Sequence, residues 1–125
     1  MQAIHTTLAP AAIGTYSQAI QEGHVVYLSG QIPLDPKTME LCNQEIRDQI
    51  DQVIRNLRAV CEAAGGSLAQ VVRLTVYMLD LNHFPLINEA MMQYFTEPFP
   101  ARTSIGVSAL PRGAQVEIDA MMVLR

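Results

Sequence analysis

From Ile46 the apolar residues fall at Ile50, Val53, Ile54, Leu57, Val60, Cys61 and Ala64, with Asp48, Asp51, Arg55, Arg58 and Glu62 largely opposite. Spacings of three and four with one polar side predict an amphipathic helix whose apolar face lies in a core. Asn43 stands where a cap would start this helix and Gly65 where one would end it. Elsewhere the period changes to two. Gln2 to Thr6, Tyr16 to Gln21 and His24 to Ser29 alternate or are β-branched, with Pro10, Gly14 and Glu22-Gly23 as breaks. They predict three strands, with a hairpin turn at Glu22-Gly23. Val71 to Leu79 predicts a fourth strand, and Ile87, Ala90, Met91, Tyr94 and Phe95 mark a shorter helix ended by Pro98 and Pro100. The remainder reads as two more strands.

The predicted order β-β-β-α-β-α-β-β fits an α+β layer, one sheet with two helices on one face. The other face is then uncovered. A face carrying Val, Met and Leu on one side of the alternation sits poorly in water, so self-association is expected. At 125 residues, half of them apolar, the chain is expected to be a single domain spanning 1–125. No apolar run is long enough for a membrane span, and no basic segment leads into a secretory-type apolar stretch, so the expected compartment is cytoplasmic. The net charge is −4 with only 8 Lys and Arg, scattered along the chain. This argues against nucleic-acid binding, which needs a basic stripe. Cys42 and Cys61 form no disulfide framework, and His5, His24 and His83 have no metal-ligand spacing, so no metal is expected. Gly65-Gly66 lacks the Lys-Ser/Thr of a phosphate loop and reads as a helix stop.

Candidate chemistry concentrates between Pro98 and Ile118. Arg102, Ser104, Gly106 and Ser108 share one side of a predicted strand, with Thr103, Ile105 and Val107 on the other. In the next strand Glu117 alternates with the apolar set Val116, Ile118, Ala120 and Met122. An antiparallel hairpin closing near Ser108 and Gln115 would put Arg102 and Glu117 on the same side, separated by ~14 Å along the sheet. A small anion would fit between them, above Ser104 and Gly106. A register slip of one residue would place the two on opposite faces. Arginine offers a planar fork for a carboxylate, and a nearby glutamate can activate water. On spacing alone, a solvated surface arginine and glutamate are the commoner reading, since most strand charges are solvated.

Three segments carry a further signal: A-P-A-A-I-G-T-Y-S-Q-A-I, Y-L-S-G-Q-I-P, and P-A-R-T-S-I-G-V-S-A-L-P-R-G-A-Q-V-E-I, in this order. Together they resemble the reactive intermediate deaminase family, also called Rid or YjgF, from about His5 to Val123. The resemblance implies a chorismate-mutase-like fold, a homotrimer, and clefts between subunits that hold small 2-imino and 2-oxo carboxylates. It implies hydrolysis of 2-enamine and 2-imino acids such as 2-iminobutanoate and 2-iminopropanoate, released by pyridoxal-phosphate dehydratases, to 2-oxo acids and ammonia, with no cofactor. Carried over, Arg102 grips the substrate carboxylate, Glu117 prepares water, and Tyr16, Ser29 and Gly30 line the cleft. Asn88 contributes from the second helix, and the Ser104 hydroxyl is able to orient water. The sequence departs from the common pattern at Thr15 (often proline), Thr103 (often serine), Ser104 (often cysteine) and Gly106 (often larger and polar), the last expected to widen the pocket. Arg102, which marks the archetypal deaminating subfamily, is present. The alternative reading is a non-catalytic trimer that binds 2-oxo acids and is read by a partner enzyme.

Overall fold

The computed structural model describes residues 1–125. Its strands are β1 (Gln2–Ile4), β2 (Ala19–Glu22), β3 (Val25–Gln31), β4 (Val71–Met78), β5 (Ala101–Gly106) and β6 (Val116–Val123), and its helices are α1 (Ile46–Ala63) and α2 (Phe84–Tyr94). The six strands form one mixed sheet in the order β1-β2-β3-β6-β4-β5. The predicted element order and α+β layer are therefore present. Both helices lie on the same face, because α1 links β3 to β4 and α2 links β4 to β5 as crossover connections.

The β2–β3 hairpin turns at Glu22-Gly23 as the sequence predicts, with Glu22 opposite Val25 and Gly23 at φ 61°. At the end of α1, the Gly66 N–H donates to the Cys61 carbonyl and the Gly65 N–H to that of Glu62, each at 3.0 Å. This is a Schellman closure, and the φ of 87° at Gly65 explains why glycine stands there. Asn43 acts differently from the cap expected of it. Glu45 occupies the cap position without a side-chain bond. Asn43, two residues earlier, accepts from the Glu45 N–H at 2.8 Å and donates to Asp48 at 2.9 Å.

The core is a single cluster in which Ile50, Val53, Ile54, Leu57, Val60 and Cys61 of α1 pack on Val26, Leu28, Leu74, Val76, Ile118 and Met122 of the sheet. Burial of each large apolar side chain favours the fold by about 1.5–3 kcal/mol relative to exposure. Burial also pushes the Cys61 thiol up to about 12, so it remains a neutral packing group. The helices are tied to each other by the Tyr94 hydroxyl donating to Asp51 and by the Arg58 guanidinium 5.6 Å above the Tyr94 ring.

Three buried side-chain amides fasten the loops to this core. Gln18 accepts from the Thr6 N–H at 2.7 Å and donates to the carbonyls of Thr6, Ala9 and Pro10. Gln49 donates to the Asn43 carbonyl at 2.8 Å and accepts from the Gln115 N–H at 2.9 Å. Asn56 donates to the carbonyls of Ile32 and Leu34 at 3.3 and 3.0 Å. Loops running over a core need such partners, because unpaired backbone groups there cost about 1–3 kcal/mol each. The helical stripe alone reads as apolar, so Gln49 and Asn56 are not distinguished from solvent-facing polar residues by sequence period.

The uncovered face is not the expected Val, Met and Leu surface. That set lies under the helices, while Tyr27, Arg73, Thr75, Tyr77, Thr103, Ile105, Glu117, Asp119 and Met121 occupy the open side.

Replacing Asn56 with alanine removes the donor for two loop carbonyls. The Asn56→Ala variant is expected to lose about 1–3 kcal/mol of stability, read as a lower urea midpoint with an unchanged slope.

Candidate functional site

The predicted hairpin between the strands of Arg102 and Glu117 does not form. β5 pairs with β4 in parallel, while β6 lies on the other side of β4 and runs antiparallel to it. Leu74 stands opposite both Arg102 and Ala120, so Arg102 shares a face with Ala120 and the buried alternation of β6. Glu117 lies an odd number of residues from Ala120 and points to the other face. The two groups are therefore separated by a strand and by the sheet itself. The hairpin is absent because β6 is inserted between β3 and β4, in the gap that the α1 crossover leaves, and β5 stays at the edge of the sheet.

On the helix side, Arg102 extends beneath α2 with its guanidinium 5.6 Å from the centre of the Phe84 ring. No carboxylate pairs with it among the ion pairs of the chain. A cavity of about 370 Å³ opens beside it, lined by Asn88, Met91, Met92, Phe99, Pro100 and Arg102. Arg102 and Asn88 are thus brought together, as expected. Ser104, on the same side of β5 opposite Val76, has a buried hydroxyl with no hydrogen-bond partner in the chain. Gly106 does not widen this space, because Leu81 side-chain atoms lie 3.2–3.3 Å from where a Cβ would be. Phe84 was not anticipated, since an aromatic at a helix start carries no signal of the arginine it supports.

On the open side, Glu117 meets β3 at a bulge. Leu28 pairs with Ala120 and Gln31 with Ile118, so Ser29 and Gly30 together oppose the single residue Asp119. The extra residue turns Gln31 into the core and brings the Gly30 backbone against the Glu117 carboxylate. A Cβ at Gly30 would fall 3.0 Å from the Glu117 carboxyl carbon and closer still to Oε2. Only glycine leaves the carboxylate room. The Ser29 hydroxyl donates to the Ser17 carbonyl at 2.6 Å, tying the bulge to the segment that carries Tyr16. Tyr16, half-exposed, accepts from the Ile13 N–H at 3.3 Å and shares a small cavity of about 30 Å³ with Gly30, room for about one water. Tyr16, Ser29, Gly30 and Glu117 therefore form one group and Arg102, Asn88 and Ser104 another.

Burial, with the neighbouring Asp119 carboxylate second, raises the Glu117 carboxyl above the usual carboxylate range. Asp119 itself accepts from the Tyr77 hydroxyl at 2.9 Å, and that bond is the main reason the Tyr77 phenol is also raised. Neither Asp119 nor Tyr77 was singled out from the sequence. No three of the His, Cys, Asp and Glu side chains gather where they could share a metal ion, and no helix is long and apolar enough to cross a membrane.

A family model described as Endoribonuclease L-PSP matches residues 6–124. The chain belongs to the Rid/YjgF family. This Rid-family chain is 46% identical over 121 residues to a 2-iminobutanoate/2-iminopropanoate deaminase of Dermatophagoides farinae, covering 97% of this chain and 94% of that one. Relatives from mouse and human carry the same name, whereas others are named only as RutC family proteins. Among solved structures, RidA from an Antarctic Psychrobacter superposes with a TM-score of 0.96 at 48% identity, covering 99% of this chain and 100% of that one. Escherichia coli TdcF with bound serine gives a TM-score of 0.94 at 36% identity, with 100% of both chains covered.

The raised Glu117 carboxyl makes a signed prediction for this Rid-family fold. A group whose folded value lies above its unfolded one stabilises fully below the unfolded value, and that contribution is lost as pH rises through the folded value. The wild-type protein is therefore expected to lose thermal stability from the ordinary glutamate range upward, and Glu117→Gln should flatten that part of the pH–Tm curve.

Proposed function

We propose that the protein is a 2-imino acid deaminase, hydrolysing 2-iminobutanoate, 2-iminopropanoate and related species to 2-oxo acids and ammonia. Its cleft is built where two copies of the chain meet. The separation of Arg102 from Glu117 across the sheet carries this reading. One chain presents a free guanidinium beside an apolar cavity, and on its other face a glutamate of raised pKa against glycine. Neither half alone holds a substrate by its carboxylate and also brings a base to its reacting carbon. Arg102 of one copy meeting Glu117 of the next completes the site, and the homotrimer implied by the family provides such clefts by rotation. The deaminase names of several relatives and the serine, an amino-acid carboxylate, bound to TdcF support the same substrate class.

In this cleft Arg102, stacked on Phe84, takes the carboxylate through its fork, with Asn88 beside it. Water next to Glu117 attacks the iminium carbon. A C–O bond forms, and Glu117 accepts the water proton. The resulting carbinolamine receives that proton on nitrogen, the C–N bond breaks, and ammonia leaves with the electron pair. Loss of the remaining hydroxyl proton to ammonia yields the 2-oxo acid and ammonium. Glu117 acts first as base and then as acid, a role suited to a carboxyl raised above its ordinary range.

Arg102→Ala and Arg102→Lys are expected to abolish 2-oxo acid binding and turnover, because lysine lacks the fork. Glu117→Gln should retain binding and slow hydrolysis by about 10² or more, measured on imine generated in situ by a threonine dehydratase. Binding without acceleration by the wild type would favour the sensor reading instead.

The shared cleft has its own test. Arg102→Ala is expected to be inactive and Glu117→Gln to be slowed by about 10² or more, but when the two are co-refolded in equal amounts, roughly a quarter of the clefts should pair an intact arginine with an intact glutamate. Recovery of about that share of wild-type activity is expected. Mixed oligomers that stay inactive would overturn the cleft between copies.

A further inference from the structure

Asp119 and Tyr77 have no part in the mechanism above, yet both lie on the face of the sheet that carries its base. Glu117 and Asp119 are alternate residues of β6 on the same face, ~7 Å apart along the strand. Tyr77 stands directly opposite Glu117 in the β4–β6 register, and its hydroxyl crosses to Asp119 Oδ2 at 2.9 Å. A tyrosine in that place would ordinarily continue outward. Here it spans the diagonal between the two carboxylates and is bonded to one of them.

The remaining groups on that face leave this pair uncompensated. From β4, Arg73 is the only cation. It donates to the Thr103 hydroxyl of β5 at 3.1 Å and makes no ion pair with either carboxylate. From β3 come Tyr27 and the Ser29-Gly30 bulge, which together with Arg73, Asp119 and Met121 line a cavity of about 280 Å³. The segment before β2 contributes Tyr16. None of these neutralises Asp119, so its negative charge acts on Glu117 with only the Tyr77 hydroxyl to hold it.

We propose that Asp119, anchored by Tyr77, is a positioning residue that governs when Glu117 carries a proton. This rests on the deaminase reading for its chemical use. The proton that Glu117 takes from water has to be held until the amine departs, and a glutamate that holds it more tightly loses less of it to solvent in between. Burial is the first reason the Glu117 carboxyl is raised, and the Asp119 charge alongside raises it further, so one carboxyl serves both halves of the reaction. The Tyr77 hydroxyl donates to Asp119 Oδ2 and holds that carboxylate in place on the face of Glu117.

The experiment follows side-chain carboxyl carbons by NMR in protein labelled with ¹³C-glutamate and ¹³C-aspartate, with Glu117 assigned from its absence in Glu117→Gln. The wild-type Glu117 midpoint is expected above the ordinary glutamate range. Asp119→Asn should lower it, Asp119→Glu should keep it raised, and the Tyr77 phenol should titrate at lower pH in Asp119→Asn. The acid limb of kcat/KM should move down with the Glu117 midpoint while 2-oxo acid binding is retained. Asp119→Ala gives a second neutral variant if the asparagine protein does not fold. An unchanged Glu117 midpoint in a folded neutral variant overturns the inference, whatever happens to Tm. A midpoint that shifts in a wild-type protein without imine hydrolysis upholds the carboxyl coupling and removes the deaminase reading.

Discussion

Strand β4 separates β5 from β6, and the parity of the sheet does the rest. Residues in register across a sheet share a face, so Leu74 places Arg102 with Ala120 and therefore away from Glu117. No side-chain rotamer undoes this, because the sheet lies between the two groups and its interior side is filled by the helices. The cation and the carboxylate are each presented to the surroundings of the chain. The proposed cleft between copies would give self-association a chemical purpose that does not depend on a greasy surface, the joining of two half-sites. The mixed character of the open face, with tyrosines, threonines and charges among its residues, is consistent with an assembly that also holds polar ligands.

The second constraint is local. The β3 bulge gives Ser29 and Gly30 two places opposite one on β6, and the missing side chain at Gly30 lets the Glu117 carboxylate lie against backbone. Burial there disfavours ionisation, and Asp119 adds a like charge. Stability and chemistry pull in opposite directions at this point, since the raised carboxyl is a cost to the fold at neutral pH and an asset to proton transfer. The fold carries that cost on a rigid frame. Gln18, Gln49 and Asn56 fasten the loops flanking the sheet through bonds to their backbone, so the elements bearing Tyr16 and Glu117 are held from behind.

The elements were legible in the sequence because their determinants are local. The α1 stripe, the Glu22-Gly23 turn, the Gly65 stop and the alternation of β4 and β6 each follow from backbone geometry and burial over a few residues. The motif order was also sufficient to identify the family. Alternation within each strand correctly assigned the sides of Arg102 and Glu117 relative to their own neighbours.

What the sequence by itself determined, then, was which residues lie on which side of each element. Which elements lie next to each other was decided only by the tertiary structure. Strand pairing joins residues far apart in the chain, and period-two patterning is the same whether β6 pairs with β5 or with β4. The crossover through α1 leaves a gap between β3 and β4 that β6 fills, and the crossover through α2 puts β5 on the far side of β4, which reverses the relation of Arg102 to Glu117. The same long-range pairing produced the bulge at Ser29-Gly30, the bond from Tyr77 to Asp119 and the stacking of Arg102 on Phe84. None of these has a local signature, because each is a contact between segments that only the closed sheet brings together.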